Sequence, residues 1–200
     1  MAAYGVDASS WERFERLLAQ GQWKAQVFTP AEIAQLRVLV DMIIPGDERS
    51  GSATESGAVE YIDFVLSEAY DEAPTMLRVT SMDKVMERQN WRDGLSWLDL
   101  ECVRRFRKHF VQCDRTQLGQ LLDDIAWPAR ARPGFKEAAE FFNRARDLTA
   151  AAFFSSKMGV QDLGYLGNVA VAEWRGAPEQ ALRELGLSYD EWDRKYGGSG

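Results

Sequence analysis

Residues Phe135–Met158 read FKEAAEFFNRARDLTAAAFFSSKM. Phe135, Ala138, Ala139, Phe142, Ala145, Leu148, Ala152 and Phe153 fall at the three- and four-residue spacing of one helix face. Phe141 and Phe154 widen that stripe, which predicts a central helix buried on more than one side, and the alanines permit close approach of its neighbours. Gly159 is placed to close the helix as its C′ residue.

Working outward, the same period recurs. Asp114 and Gln117 form a cap signature ahead of Leu118, Leu121, Leu122 and Ile125, and the Trp127–Gly134 segment, with Pro128 and Pro133, ends that helix. From Met76 to Phe110, Val79, Met86, Leu95, Leu98, Val103 and Phe106 predict one long helix or two collinear ones, with Gly94 the weak point. Thr29, Pro30 and Glu32 place an N-cap, a first-turn proline and a capping-box glutamate before Ile33, Leu36, Val40 and Ile43. Gly46–Gly57 (GDERSGSATESG) is polar and non-periodic and reads as a surface loop long enough to be a binding element. Val59, Ile62, Phe64, Val65 and Tyr70 predict the next helix. Before Phe28, Trp11, Phe14, Leu17 and Leu18 mark a short helix ended by Gly21. After Gly159 the texture becomes irregular, with short helices over Pro178–Leu185, closed by Gly186, and around Trp192. No strand alternation competes. The prediction is an all-α chain with an N-terminal arm (1–27), a helical domain (28–159) and an extended tail (160–200).

With 200 residues and 46% apolar content the chain is long enough for a real core. Its 24 basic and 31 acidic residues give a net charge of −7, which disfavours nucleic acid and anionic lipid as partners. The strongest apolar run, Val38–Ile44, is interrupted by Asp41 and stopped by Pro45, too short to insert in a membrane. Two cysteines and one histidine cannot make a four-cysteine cluster, a three-histidine site or a dense disulfide framework. Cys102 and Cys113 would stand roughly 16 Å apart on a continuous helix, so a bridge between them requires a break. On that helix His109 and Cys113 would share a face.

Catalytic chemistry is hard to nominate. The sole imidazole, His109, sits in RRFRKHF among positive charges that disfavour its protonation. Among 31 acids, composition cannot single out a carboxylate pair. Neither GxGxxG nor GxxxxGK[ST] occurs, so no nucleotide loop is signalled. Arg104, Arg105, Arg107 and Lys108 wind round a helix near acids and read as a solvated face. No catalytic, cofactor-binding or metal residue is assigned. The tryptophans of the two ends are different, because thin segments must lay an indole on the body or on a partner. Trp11, Trp23, Trp174 and Trp192, with Tyr165 and Asn168 freed by Gly164 and Gly167, are the candidate partner-binding residues.

Three blocks, FTPAEIAQLRVLVDMIIPGDERSGSATESGAVEYIDFVLSE (Phe28–Glu68), GLSWLDLECVRRF (Gly94–Phe106) and LTAAAFFSSKMGVQDLGYLGN (Leu148–Asn168), resemble the gluconate 2-dehydrogenase subunit 3 family. The resemblance implies a small, cofactor-free helical subunit bound to a large FAD-dependent dehydrogenase of the glucose–methanol–choline type, with a cytochrome c often taking the electrons. DLGYLGNVAVAEWRGAP (Asp162–Pro178) is similar to the branch paired with sugar or glycoside 3-dehydrogenases. Members commonly start with a twin-arginine signal, implying a periplasmic complex. This chain opens MAAYGVDASSW without Arg-Arg or an apolar region, which implies either a removed leader or a cytoplasmic member, and the small-residue AAY favours removal. The competing readings are a stand-alone enzyme using carboxylates or His109, and an independent helical interaction module.

Overall fold

The computed structural model describes residues 8–67, 84–164, 177, 179–190 and 194. Among them are eight α-helices and no strand, as the apolar periodicity predicts: α1 Ala8–Ala19, α2 Pro30–Ile43, α3 Ala58–Leu66, α4 Lys84–Phe106, α5 Arg115–Asp123, α6 Lys136–Ser155, α7 Lys157–Asp162 and α8 Glu179–Glu184. Short 3-10 turns at Phe110–Gln112 and Pro128–Arg130 flank α5. Residues 1–165 form one compact unit and residues 166–200 a second. No described helix is long and apolar enough to cross a membrane.

In the first unit α6 is central, packing against α2, α3, α4 and α7. Ala138, Ala139, Phe141, Phe142, Ala145, Thr149, Ala152 and Phe153 are buried along it, while Phe154 stays 41% exposed. The buried Thr149 hydroxyl donates to the Ala145 carbonyl at 2.6 Å, so no polar group is left stranded there. The seam of α4 is Trp91, Leu95, Leu98 and Cys102, all essentially without solvent contact. Met86, expected on that stripe, is instead exposed. Gly94 is no weak point: α4 continues through it, and a Cβ there would lie 2.2 Å from Phe141 Cγ. The glycine lets α4 and α6 touch.

Two helix starts follow their cap chemistry. Glu32 N–H donates to Thr29 Oγ1 at 3.3 Å and Thr29 N–H to Glu32 Oε2 at 2.7 Å. Gln117 N–H donates to Asp114 Oδ1 at 2.9 Å, and Asp114 N–H to Gln117 Oε1 at 3.1 Å. Each cap supplies roughly 1 kcal/mol. The end of α6 differs from expectation. The helix stops at Ser155, and Ser156 turns out in extended geometry to cap α7 by accepting the Gly159 N–H at 3.0 Å. Gly159 is thus inside α7, not a C′ cap, and a Cβ there would sit 2.1 Å from the Phe153 carbonyl oxygen. Closeness, not a left-handed backbone, explains that glycine.

Of the segment before Phe28, the described residues from Ala8 onward pack on α3. Phe14 of α1 is 2% exposed, stacked on Phe64 with centroids 5.0 Å apart and set edge-on to Tyr61 at 6.0 Å. Gln26, Val27 and Phe28 then donate their N–H groups to the Asp63 carboxylate at 2.8, 2.9 and 3.2 Å. Asp63 itself is fully buried. The buried carboxylate is tolerated there because three backbone donors replace its water. From α4, Arg92 donates to the Val27 carbonyl at 2.9 Å. One strap of chain is therefore held on both its donors and an acceptor.

In the second unit α8 closes as a Schellman turn. Gly186, at φ +63°, donates to the Arg183 carbonyl at 3.2 Å and Leu187 to that of Leu182 at 2.8 Å. The Tyr189 hydroxyl accepts the Ala177 N–H at 2.8 Å.

Candidate functional site

The densest polar cluster lies where α4 gives way to α5. The last turn of α4 is closed by the Arg107 N–H donating to the Val103 carbonyl at 3.0 Å, and Arg107 then adopts φ +57°. This break answers the expectation of a helix running to Phe110. It also means that His109 and Cys113 do not share a helix face. The reversal is fixed by Asp99, whose carboxylate accepts the Phe110 N–H at 2.8 Å and contacts His109 Nδ1 at 2.8 Å. Burial works against ionisation of Asp99, but the imidazole, the Phe110 amide and Gln35 outweigh it and hold its pKa below the ordinary carboxylate value. Phe110 is fully buried and plugs the turn into the core.

The neighbouring arginines are engaged with acids. Glu101 accepts from Arg104 at 2.5 and 2.7 Å and from Arg105 at 2.6 Å. Arg105 reaches on to Asp124 at 2.7 Å, which also binds Arg132. The Phe135 ring lies beneath both guanidiniums, 5.7 Å from Arg105 and 4.9 Å from Arg132. The Arg104 hydrogen bonds, offset in part by burial and helped by Arg105, bring the Glu101 pKa down to about 2. This basic run is a structural network rather than a free anion site. Lys108 donates to Gln117 at 3.2 Å.

Between α4 and α6 lies a cleft of about 350 Å³, lined in part by Asp93, Trp97, Glu137, Glu140 and Arg144. Its three carboxylates are exposed, whereas a general acid at neutral pH draws on a carboxyl withdrawn from water. Arg144 is paired with the nearly buried Glu87, which also accepts from the Trp91 indole at 3.3 Å. No group of three metal-ligating side chains occurs among the described residues.

The polar Gly46–Gly57 loop is tied down. Asp47 accepts from the Arg49 and Ser50 amides, which hold its pKa below the ordinary value. Thr54 N–H donates to Asp41 at 2.8 Å, Ala53 is fully buried, and Arg49 donates to the Asp162 carbonyl at 2.7 Å. The loop thus clasps α7 to the end of α2.

Of the six residues expected to bind a partner, Trp23 is described in full. Its indole sits edge-on to Phe14 and to Phe64, each at 5.6 Å, in internal packing. Trp11 lies on α1, with its side chain outside the described residues. Tyr165, Asn168, Trp174 and Trp192 also lie outside the described residues. Sequence reasoning missed two features: first the Asp63 hub, and then the left-handed turn at Arg107 that ends α4. A lone acid inside the apolar run YIDFVL (Tyr61–Leu66) is the one local sign of the first.

The family model for gluconate 2-dehydrogenase subunit 3 matches residues 30–173. The chain belongs to the gluconate 2-dehydrogenase subunit 3 family. Membership makes it a subunit of a dehydrogenase complex, so a partner dehydrogenase subunit is implied. The matched span starts at the first residue of α2 and takes in the whole α4–α5 corner. No curated protein and no solved structure matches the chain significantly.

Proposed function

We propose that the chain is the non-catalytic small subunit that binds and stabilises a large FAD-dependent dehydrogenase of the glucose–methanol–choline type acting on a sugar or glycoside. The flavin is held by the partner, the small subunit accompanies it to the periplasm, and a cytochrome c takes the electrons. The observation that carries this reading is the family match over most of the chain, to a family named for a subunit. The geometry of His109 supports it: the ring contacts Asp99, a carboxylate already used to fasten the Phe110 backbone. Exposed Leu100, Val111, Trp127 and Phe154 on the first unit supply apolar area of the kind that interface cores use.

The test is co-purification of the chain from its source organism, with the bound partner identified by mass. The two chains should co-elute with flavin absorbance, and H109A should leave turnover of the assembled complex within a few fold. Sugar oxidation by the isolated chain would overturn the reading. So would a roughly thousandfold loss in H109A, the scale of a missing general base.

A further inference from the structure

Residues 126–134, which join α5 to α6, read AWPARARPG: two arginines and no acid, in a chain whose net charge is −7. The connection is exposed at 127–130 and again at 132–134, yet both of its feet are set in the body. Ile125, just before it, is fully buried, and Phe135, just after it, lies edge-on to Trp97 at 5.1 Å. Between them Ala131 packs against the core. Pro128 opens the 3-10 turn, in which the Arg130 N–H donates to the Trp127 carbonyl at 2.8 Å, and the Phe135 N–H donates to the Arg132 carbonyl at 2.9 Å. With two prolines and these bonds, the connection has little freedom left to lose on binding.

On this frame stands Trp127, 59% exposed. The other tryptophans described in full are covered, Trp91 completely and Trp23 and Trp97 in part. Of the other exposed aromatics, Phe154 leans edge-on against Phe153 at 5.2 Å, and the Tyr189 hydroxyl is engaged by the Ala177 amide. The Trp127 ring lies 5.8 Å from the Arg146 guanidinium. That guanidinium is itself braced by Asn143, by the Ala126 carbonyl at 3.5 Å and by Asp147 at 3.8 Å. A braced cation on the ring steadies the indole while most of its surface meets water. Arg132 is engaged with Asp124, whereas Arg130 is exposed and meets no acid among the described residues.

We propose that Trp127 is the anchor by which the chain docks on its dehydrogenase subunit, which presents an apolar slot for the indole and, at the edge of that slot, a carboxylate for Arg130. The proposal rests on the reading of the chain as the small subunit of that enzyme. A partner dehydrogenase has to cover some part of this chain, and the family match over residues 30–173 takes in the whole connection. Trp and Arg are the residue types that most often carry interface energy, because a rigid ring buries much apolar area for two torsions and a guanidinium keeps its charge. The sign of the charge sets the chemistry of the slot: a cation without an acid of its own is matched by one on the partner.

The experiment captures the complex from the source organism on a tagged full chain and challenges it with graded amounts of untagged full chain, wild-type or variant. The amount that displaces half of the dehydrogenase, followed by mass and flavin absorbance, reads relative affinity. Trp127→Ala should need roughly thirtyfold more chain than the wild type, the scale of an interface hot spot. Its helical circular dichroism spectrum should be unchanged and its melting temperature within about 2 °C of the wild type, since the ring is mostly in water. Arg130→Glu should need about tenfold more at low salt, and that difference should shrink as salt is added. Wild-type displacement by either variant would overturn the proposal, and so would helix loss in Trp127→Ala before any partner is bound. A wild-type chain that captures no flavin dehydrogenase would instead end the small-subunit reading itself.

Discussion

Two corners of the first unit are both held by carboxylates, and they hold differently. At α3 a single fully buried Asp63 takes three backbone N–H groups of the strap at Gln26–Phe28. At the α4–α5 corner the buried Glu101 and the partly exposed Asp124 share three arginines, of which Arg105 is largely buried while Arg104 and Arg132 are more than half exposed. The first arrangement replaces water outright; the second competes with it. Removing the buried Asp63 acceptor strands three donors, while exposed arginines such as Arg104 and Arg132 that lose a partner are rehydrated. The corner makes more hydrogen bonds than Asp63 does, yet access to water decides their worth.

The sharpest way to break that contrast is Asp63→Ala. It leaves the Gln26, Val27 and Phe28 amides without their acceptor, and we expect a loss of about 4 kcal/mol of stability. Urea titration followed by circular dichroism would measure it. A loss below about 1 kcal/mol would place Asp63 on the same footing as the surface network.

Acid titration examines the other corner. The Glu101 pKa is about 2 instead of the ordinary 4.5. A carboxyl with a lowered folded pKa contributes stability that is complete above its ordinary value and is lost as pH falls toward the folded one. Because Arg104, the partner that lowers the Glu101 pKa most, faces solvent, we expect only roughly 1 kcal/mol from this group. The wild type should lose that amount between pH 4.5 and 2, and Glu101→Gln should flatten the slope in that window. Parallel slopes for the two proteins would remove Glu101 as the source.

The smallest effect concerns Trp23, whose indole nitrogen is buried without a hydrogen-bond partner. Trp23→Phe keeps the edge-on contacts with Phe14 and Phe64 while removing that N–H. We expect stability within about 0.5 kcal/mol of the wild type. A loss of roughly 2 kcal/mol would show that the indole N–H has an important partner.

What could be read in the sequence was whatever depends on near neighbours. The caps at Thr29–Glu32 and Asp114–Gln117 are three-residue chemistry, and both form. The core stripe of α5, Leu118 to Ile125, is a matter of period, and all four of its residues are buried. Gly94 and Gly159 were visible as glycines but not for their reasons, because the atoms that exclude a Cβ come from the Phe141 ring and the Phe153 carbonyl. Asp63 was invisible because its three partners are 35 to 37 residues away. The reversal after α4 depends on Arg107 adopting a left-handed backbone, for which an Arg carries no local signal. Trp23 could be read as an aromatic in need of cover. That its cover comes from α1 and α3 together is a tertiary fact.

The strap also sets an order of events during synthesis. Phe14, Trp23 and the amides of Gln26–Phe28 leave the ribosome first, yet the groups that receive them, Tyr61, Asp63 and Phe64, all belong to α3. Until that helix emerges, Phe14 and Trp23 lack the Tyr61 and Phe64 rings and have each other to pack against. Closing the intervening loop of about 35 residues costs several kcal/mol in chain entropy, recovered only when the carboxylate and the ring cluster engage together. The opening segment is thus exposed to chaperones, or to another nascent copy, for as long as it takes to translate α2 and the polar loop.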